Sequence, residues 1–146
     1  MPDINGWSKT QYGMPEVGAH AERQKDIGMR DIELFTEITG DRNPLHYDEV
    51  LARKSKFGGL VVQGGVTSGI LNAIVAEDLP GPGSVFLDMT LEFLLPVRIG
   101  DTITGQVVVK SVRRDKPICT LDVAVKNQNG EICLRGSATC YTVDLK

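Results

Sequence analysis

The sequence is short of the residues that most often announce a chemistry. It holds two histidines, three cysteines and one tryptophan among 146 residues. Cys119, Cys133 and Cys140 form no C-x-x-C pair and stand apart from both histidines. That excludes the usual zinc and thioredoxin-like spacings and leaves reduced structural thiols. A basic excess is missing too: 16 Lys and Arg against 19 Asp and Glu give a formal charge of −3, so no nucleic-acid footprint is present. No apolar run approaches the ~20 residues of a membrane helix. The polar N-terminus lacks the basic start and apolar centre of a secretory leader, and a cytoplasmic protein is expected. Internal repeats and low-complexity tracts are absent. The 41% hydrophobic and 24% charged residues describe one folded domain, of a size that buries ~70% of its unfolded surface.

What is present is ordered along the chain. Residues 1–18, with Pro2, Gly6, Gly13, Pro15 and Gly18, read as an N-terminal arm rather than a core element, and residues 19–146 as a single domain. A first strand is expected over 19–28. Ile32, Phe35 and Ile38, with Leu34 beside them, predict a helix over 31–39 that Gly40 ends. A loop from Asp41 to Tyr47 follows, and Asp48 caps a short helix to Lys54. Over 65–78, Val66, Ile70 and Ile74 recur four apart, and Leu71 and Val75 carry the apolar surface around the cylinder, so this helix should be buried. No Lys or Arg occurs from Phe57 to Val97, in keeping with a core segment. Beyond Gly83 the period falls to two. Val85, Leu87, Met89, Leu91 and Phe93 alternate with Asp88, Thr90 and Glu92, which predicts one buried and one wetter face. Three more strands follow, the last two joined at the hairpin signal Asn129-Gly130. One apolar helix and four long antiparallel strands make an α+β layer in which a curled sheet wraps the helix, the hot-dog arrangement. A sheet of this size leaves an open edge, which predicts a homodimer or a dimer of dimers.

Chemistry concentrates in Gly40-Asp-Arg-Asn-Pro-Leu-His46. Asp41 and His46 are five apart, a spacing that puts them on different faces of a helix or a strand. A turn can bring them together, and Asn43-Pro44 supplies one. A carboxylate and an imidazole so placed can hold a water between them and move protons near neutral pH. On residue types alone the plainer reading prevails: Asp41 caps backbone groups and His46 is a surface residue. His20 reads as structural. The second candidate is Gln63-Gly64-Gly65 at the start of the buried helix. Glycines admit a ligand to the backbone, and free N–H groups at a helix start favour developing negative charge, as an oxyanion hole requires. An entry loop that packs on the sheet explains the same glycines. Arg53, Lys54 and Lys56, and Arg113, Arg114 and Lys116, could meet phosphates, but such runs are more often solvated.

The stretch Phe35-Thr-Glu-Ile-Thr-Gly-Asp41-Arg-Asn-Pro-Leu-His46-Tyr-Asp48 resembles the signature of the MaoC-like dehydratases, which include (R)-specific enoyl-CoA hydratases. Phe57 and Gly64 fall at matching places further on, and Pro96-Val-Arg-Ile-Gly-Asp101 resembles the turn these proteins use before a long strand. The resemblance covers about residues 30–142 and reverses the plainer reading of Asp41 and His46. It implies a hot-dog fold paired into a dimer, and hydration of a trans-2-enoyl thioester of coenzyme A with no metal or other cofactor. Asp41 would be the base and His46 its partner on the water, the Gly64 N–H would bind the thioester oxygen, and Asn43 would shape the loop. Two departures stand out: Gln63 where the family has His, and Leu60 where it has Pro. Gln63 is expected to alter pocket polarity or substrate. The rival readings are a hot-dog acyl-CoA thioesterase and a non-catalytic acyl-CoA-binding module. The thioesterase would need a carboxylate where this chain has Asn72, which joins Asn43 and Gln63 as a supporting residue.

Overall fold

In the computed structural model, which describes residues 4–146, the chain runs β1 (His20–Asp26), α1 (Met29–Thr39), α2 (Pro44–Tyr47), α3 (Glu49–Lys54), α4 (Gly64–Glu77), β2 (Ser84–Phe93), β3 (Thr102–Val112), β4 (Ile118–Lys126) and β5 (Ile132–Thr142). The strands form one antiparallel sheet in the order β1-β3-β4-β5-β2, with β1 and β2 as edges. Period-two alternation buries Ile103, Val107 and Val109 of β3, Leu121, Val123 and Val125 of β4, and Leu134, Ala138 and Cys140 of β5. Helix α4 lies across this face and buries Ile70, Leu71, Ile74 and Val75. Gly105 of β3 lets it come close: a Cβ there would lie 2.8 Å from Ile70 Cγ2. The hot-dog expectation holds, a sheet wrapped on one central helix.

The N-terminal segment, expected to be an arm rather than a core element, places a side chain in the core. Trp7 is fully buried in the core, and its indole Nε1 donates to the Arg113 carbonyl at 2.7 Å. Thr10 is buried as well, and the Gly6 N–H donates to the Arg114 carbonyl. An indole with this much apolar area packs wherever a polar acceptor also waits for its N–H, and the β3–β4 turn offers both.

Four further expectations change. In α1 the inward residues are Ile32 and Thr36, with Phe35 half-buried, while Leu34 and Ile38 are exposed; a polar residue takes the position four on from Ile32. The loop after Asp41 contains a turn of helix, α2, because Pro44 is pre-set for a first helical position and Asn43 caps it. In β2, Val85, Leu87, Met89 and Phe93 are all exposed, so the alternation does not mark a buried face within this chain. The strand is an edge, and its register with β5 shifts between Phe86 and Asp88, a bulge of the kind that bends edges. The β4–β5 hairpin is present, but its turn is wider than Asn129-Gly130: the Asn127 side chain accepts the N–H groups of Asn129 and Glu131. The Asp48 cap is as expected, its Oδ1 accepting from Leu51 N.

Candidate active site

The site grows from the end of α1. Gly40 takes the left-handed conformation (φ 79°) and its N–H returns to the Thr36 carbonyl at 2.7 Å. Local bonds then govern every step. Asp41 N donates to Thr39 Oγ1 at 3.1 Å, Asn43 N to Asp41 Oδ1 at 3.0 Å, and Leu45 N to Asn43 Oδ1 at 3.1 Å. His46 N donates to the Asn43 carbonyl at 2.9 Å. The outcome is that Asp41 Oδ2 and His46 Nε2 face each other at 3.6 Å. The two residues are unlike in setting: the Asp41 side chain is 37% exposed and that of His46 9%.

His46 Nδ1 lies 2.6 Å from the Val61 carbonyl oxygen. A carbonyl only accepts, so Nδ1 carries the proton, and in the neutral ring Nε2 is an acceptor. Two acceptors 3.6 Å apart make no direct hydrogen bond. A water lying off the line between them can donate one hydrogen to each. Such a water keeps its lone pairs free and has a base on either proton, which is the arrangement of an activated nucleophile.

Val61 belongs to the loop that leads into α4. Its N–H donates to the Leu45 carbonyl at 3.1 Å, and Val62 N to the Val97 carbonyl at 2.9 Å. Arg98 braces the same loop, donating from Nη1 to the Leu60 carbonyl at 3.4 Å and from Nη2 to the Phe57 carbonyl. Three residues after Val61, Gly64 opens α4. Among the described residues the N–H groups of Gly64 and Gly65 have no acceptor, as befits a helix start. Gly64 borders a cleft of about 310 Å³ together with Phe57, Val61, Thr67 and Phe93. The cleft touches the dyad only through Val61; neither Asp41 nor His46 lines it. Gly65 lines a different cavity, of about 520 Å³, with Phe35, Val66 and Gly69. Packing explains Gly65, since a Cβ there would sit 2.1 Å from Phe35 Cζ.

The supporting residues divide. Asn43 bonds within the loop, its Oδ1 accepting the Leu45 N–H and its carbonyl the His46 N–H. Gln63 does not shape pocket polarity: it is buried, and its Nε2 donates inward to the Ile32 carbonyl at 3.1 Å and to Thr36 Oγ1 at 3.3 Å, with Oε1 left unpartnered. Asn72 is exposed and lines neither cavity. It lies two turns from Gly64, about 12 Å along the helix, so the structure does not bring it to the site. His20 is exposed on β1. Arg53 pairs with Glu49 and Arg113 with Asp115, and Lys56 lines the smaller cleft. The three thiols are buried and unpaired by disulfide; burial pushes Cys119 up to about 11 and Cys140 to about 12, and raises Cys133. Among the described residues no three His, Cys, Asp or Glu side chains gather as a metal site would need. The sequence reading missed Val61, Arg98, Thr36 and Tyr47. Val61 acts through its backbone, which leaves no mark in residue type.

A family model described as "MaoC like domain" matches residues 13–130. The chain is 36% identical over 123 residues to an (R)-specific enoyl-CoA hydratase of Aeromonas caviae, covering 84% of this chain and 92% of that one. It is 39% identical over 127 residues to a 3-hydroxybutyryl-CoA dehydratase of Methylorubrum extorquens, covering 84% and 78%. Among solved structures, the (R)-hydratase of A. caviae involved in PHA biosynthesis superposes with a TM-score of 0.84 at 34% identity, over 88% of this chain and 98% of that one.

Proposed function

The chain belongs to the MaoC-like dehydratase family, and on that premise we propose that it is an (R)-specific enoyl-CoA hydratase, equally a 3-hydroxyacyl-CoA dehydratase: a hydro-lyase acting on trans-2-enoyl-CoA. One observation carries the reading. His46 Nδ1 is committed to Val61, so Nε2 and Asp41 Oδ2 stand as two acceptors 3.6 Å apart. Hydration needs a water whose oxygen is free and whose proton has somewhere to go. Here the water oxygen bonds to the β-carbon, the carbon–carbon double bond opens toward the thioester, and charge gathers on the thioester oxygen. Asp41 takes the water proton, and the dyad returns a proton to the α-carbon, so the elements of one water are added. The Gly64 N–H, at a helix start, favours the charge on the thioester oxygen. No cofactor is required beyond the coenzyme A of the substrate.

The same reading extends to assembly and setting. The apolar residues exposed on edge strand β2 would be covered by a second copy, joining two sheets into one, as a homodimer or as a dimer of dimers. Among the described residues no helix is long and apolar enough to cross a membrane, and three reduced thiols suit the cytoplasm.

The test is purified protein with crotonyl-CoA, following loss of the enoyl thioester absorbance and, separately, release of thiol. Absorbance should fall with no thiol released. Thiol release would make the protein a thioesterase, and no change in either signal would leave an acyl-CoA-binding module.

A further inference from the structure

The Thr36 hydroxyl is where three elements meet. It is buried on the inner face of α1 and has four polar neighbours: the Ile32 carbonyl at 3.0 Å, the Asp41 carbonyl at 2.8 Å, Gln63 Nε2 at 3.3 Å and the Tyr47 hydroxyl. A hydroxyl has one proton and two lone pairs. The carbonyls only accept, and the Gln63 amide nitrogen only donates. The Asp41 carbonyl is the nearer of the two acceptors, and the Ile32 carbonyl also receives Gln63 Nε2 at 3.1 Å, so we assign the Thr36 proton to Asp41. The two lone pairs then take the Gln63 N–H and the Tyr47 O–H, and every valence of the hydroxyl is used.

We infer that Thr36 is a positioning residue for the Asp41–His46 pair, and that Gln63 and Tyr47 act through it. Asp41 hangs from α1 by both of its backbone groups, the N–H on Thr39 and the carbonyl on Thr36. Tyr47 directly follows His46, so the hydroxyl that holds Asp41 also holds the chain beside His46. Gln63 ties the same atom to the residue before Gly64. One oxygen thus sets where the carboxylate stands relative to the imidazole and to the helix start. The gap between Oδ2 and Nε2 must fit one water, and small misplacements of reacting groups are costly in rate. The kinetic arm of the test rests on the hydration reading; the spectroscopic arm does not.

The experiment compares Thr36→Val, which keeps the shape and deletes the hydroxyl, with Thr36→Ser, which keeps the hydroxyl. In crotonyl-CoA hydration, Thr36→Val should lower kcat about 10- to 100-fold with KM changed by less than about threefold, and Thr36→Ser should recover most of the loss. Long-range proton–nitrogen NMR of the imidazoles at one fixed pH reads the placement without substrate. The chain has two histidines, and exposed His20 is the internal reference. Thr36→Val should move the His46 Nε2 signal and leave His20 in place. A wild-type protein that hydrates nothing would remove the functional reading, while the NMR arm would still decide this one. Wild-type kcat and an unmoved His46 signal in Thr36→Val would overturn it, as would Thr36→Ser behaving like Thr36→Val, which would make the role one of packing. Should Thr36→Val fail to fold, Tyr47→Phe removes one donor at a partly exposed residue. It should shift the His46 signal and lower kcat by a smaller factor, and no change in either would overturn the inference.

Discussion

His46 donates from Nδ1 to the carbonyl of Val61 at 2.6 Å, and Val61 is three residues from Gly64. The four residues 61–64 therefore do two jobs: they choose which imidazole nitrogen is basic, and they lead into the helix start proposed to receive negative charge. The anchor of the His46 ring and the proposed oxyanion donor are connected by a segment too short to let them drift apart. Arg98, by holding the Phe57 and Leu60 carbonyls, fixes that segment from outside.

Asp41→Asn should separate catalysis from folding. Asn keeps an oxygen to accept the Asn43 N–H, so the loop and Tm should be nearly unchanged, but it cannot take a proton from water. Loss of general-base catalysis should lower kcat by ~10²–10⁴, equivalent to ~3–5 kcal/mol of barrier, with KM barely moved. His46→Gln should fall similarly and the double variant little further, because residues sharing one water act as a unit. If Asp41→Asn retained more than about a tenth of wild-type kcat, a smaller loss than general-base removal gives, Asp41 would be a loop cap and nothing more.

Gln63→Ala should cost stability more than chemistry. It deletes the bonds to Ile32 and Thr36 and leaves a hole beneath α1, a loss of ~1–3 kcal/mol that denaturant titration would show. The Gly64 N–H survives, so hydration should drop by less than ~10². A fall as deep as that of Asp41→Asn would put Gln63 among the groups that touch substrate.

Light scattering at micromolar concentration should give twice the chain mass, or four times for a dimer of dimers. Leu87→Lys combined with Phe93→Lys places two charges on the exposed edge of β2 and should halve the measured mass, since like charges brought together at an edge oppose pairing. A monomeric wild type, or a double variant that stays dimeric, would remove β2 as the contact.

Alkaline stability should carry the signature of the buried thiols. Burial holds Cys119 up at about 11 and Cys140 at about 12, whereas an unfolded thiol ionises near ~8.5. Above that value the unfolded chain releases protons that the folded chain keeps, so the contribution is full below it and is lost as pH rises toward the folded values. Denaturant midpoints measured from pH 7.5 to 10.5, an interval of about three units across the unfolded value, should fall more steeply for the wild type than for Cys119→Ala/Cys140→Ala. Parallel slopes would contradict this assignment.

The sequence made some of this legible and hid the rest for physical reasons. Helix α4 and strands β3 to β5 could be read because their apolar period is set by burial inside this chain. The pattern of β2 looks the same, yet Val85, Leu87, Met89 and Phe93 are exposed, because periodicity alone does not say whether a face is covered within the same chain. Asp41, Asn43 and His46 were legible as a group since the bonds that join them span few residues. The Thr36 hydroxyl was not: its partners lie in separate elements, and a threonine on a helix reads as a break in the apolar stripe. Asn72 and Gly65 show the converse, residues at suggestive positions that the fold leaves on the surface or uses for packing.

Trp7 gives the molecule a built-in optical reporter. It is the chain's one tryptophan, with 0% of its surface exposed and its indole N–H held by the Arg113 carbonyl. Its fluorescence therefore comes from a dry site at the β3–β4 turn, far along the chain from the residue that emits. Any event that releases the N-terminal segment would shift that emission to the red, and stopped-flow fluorescence could time the release against the collapse of the sheet without a dye or an added label.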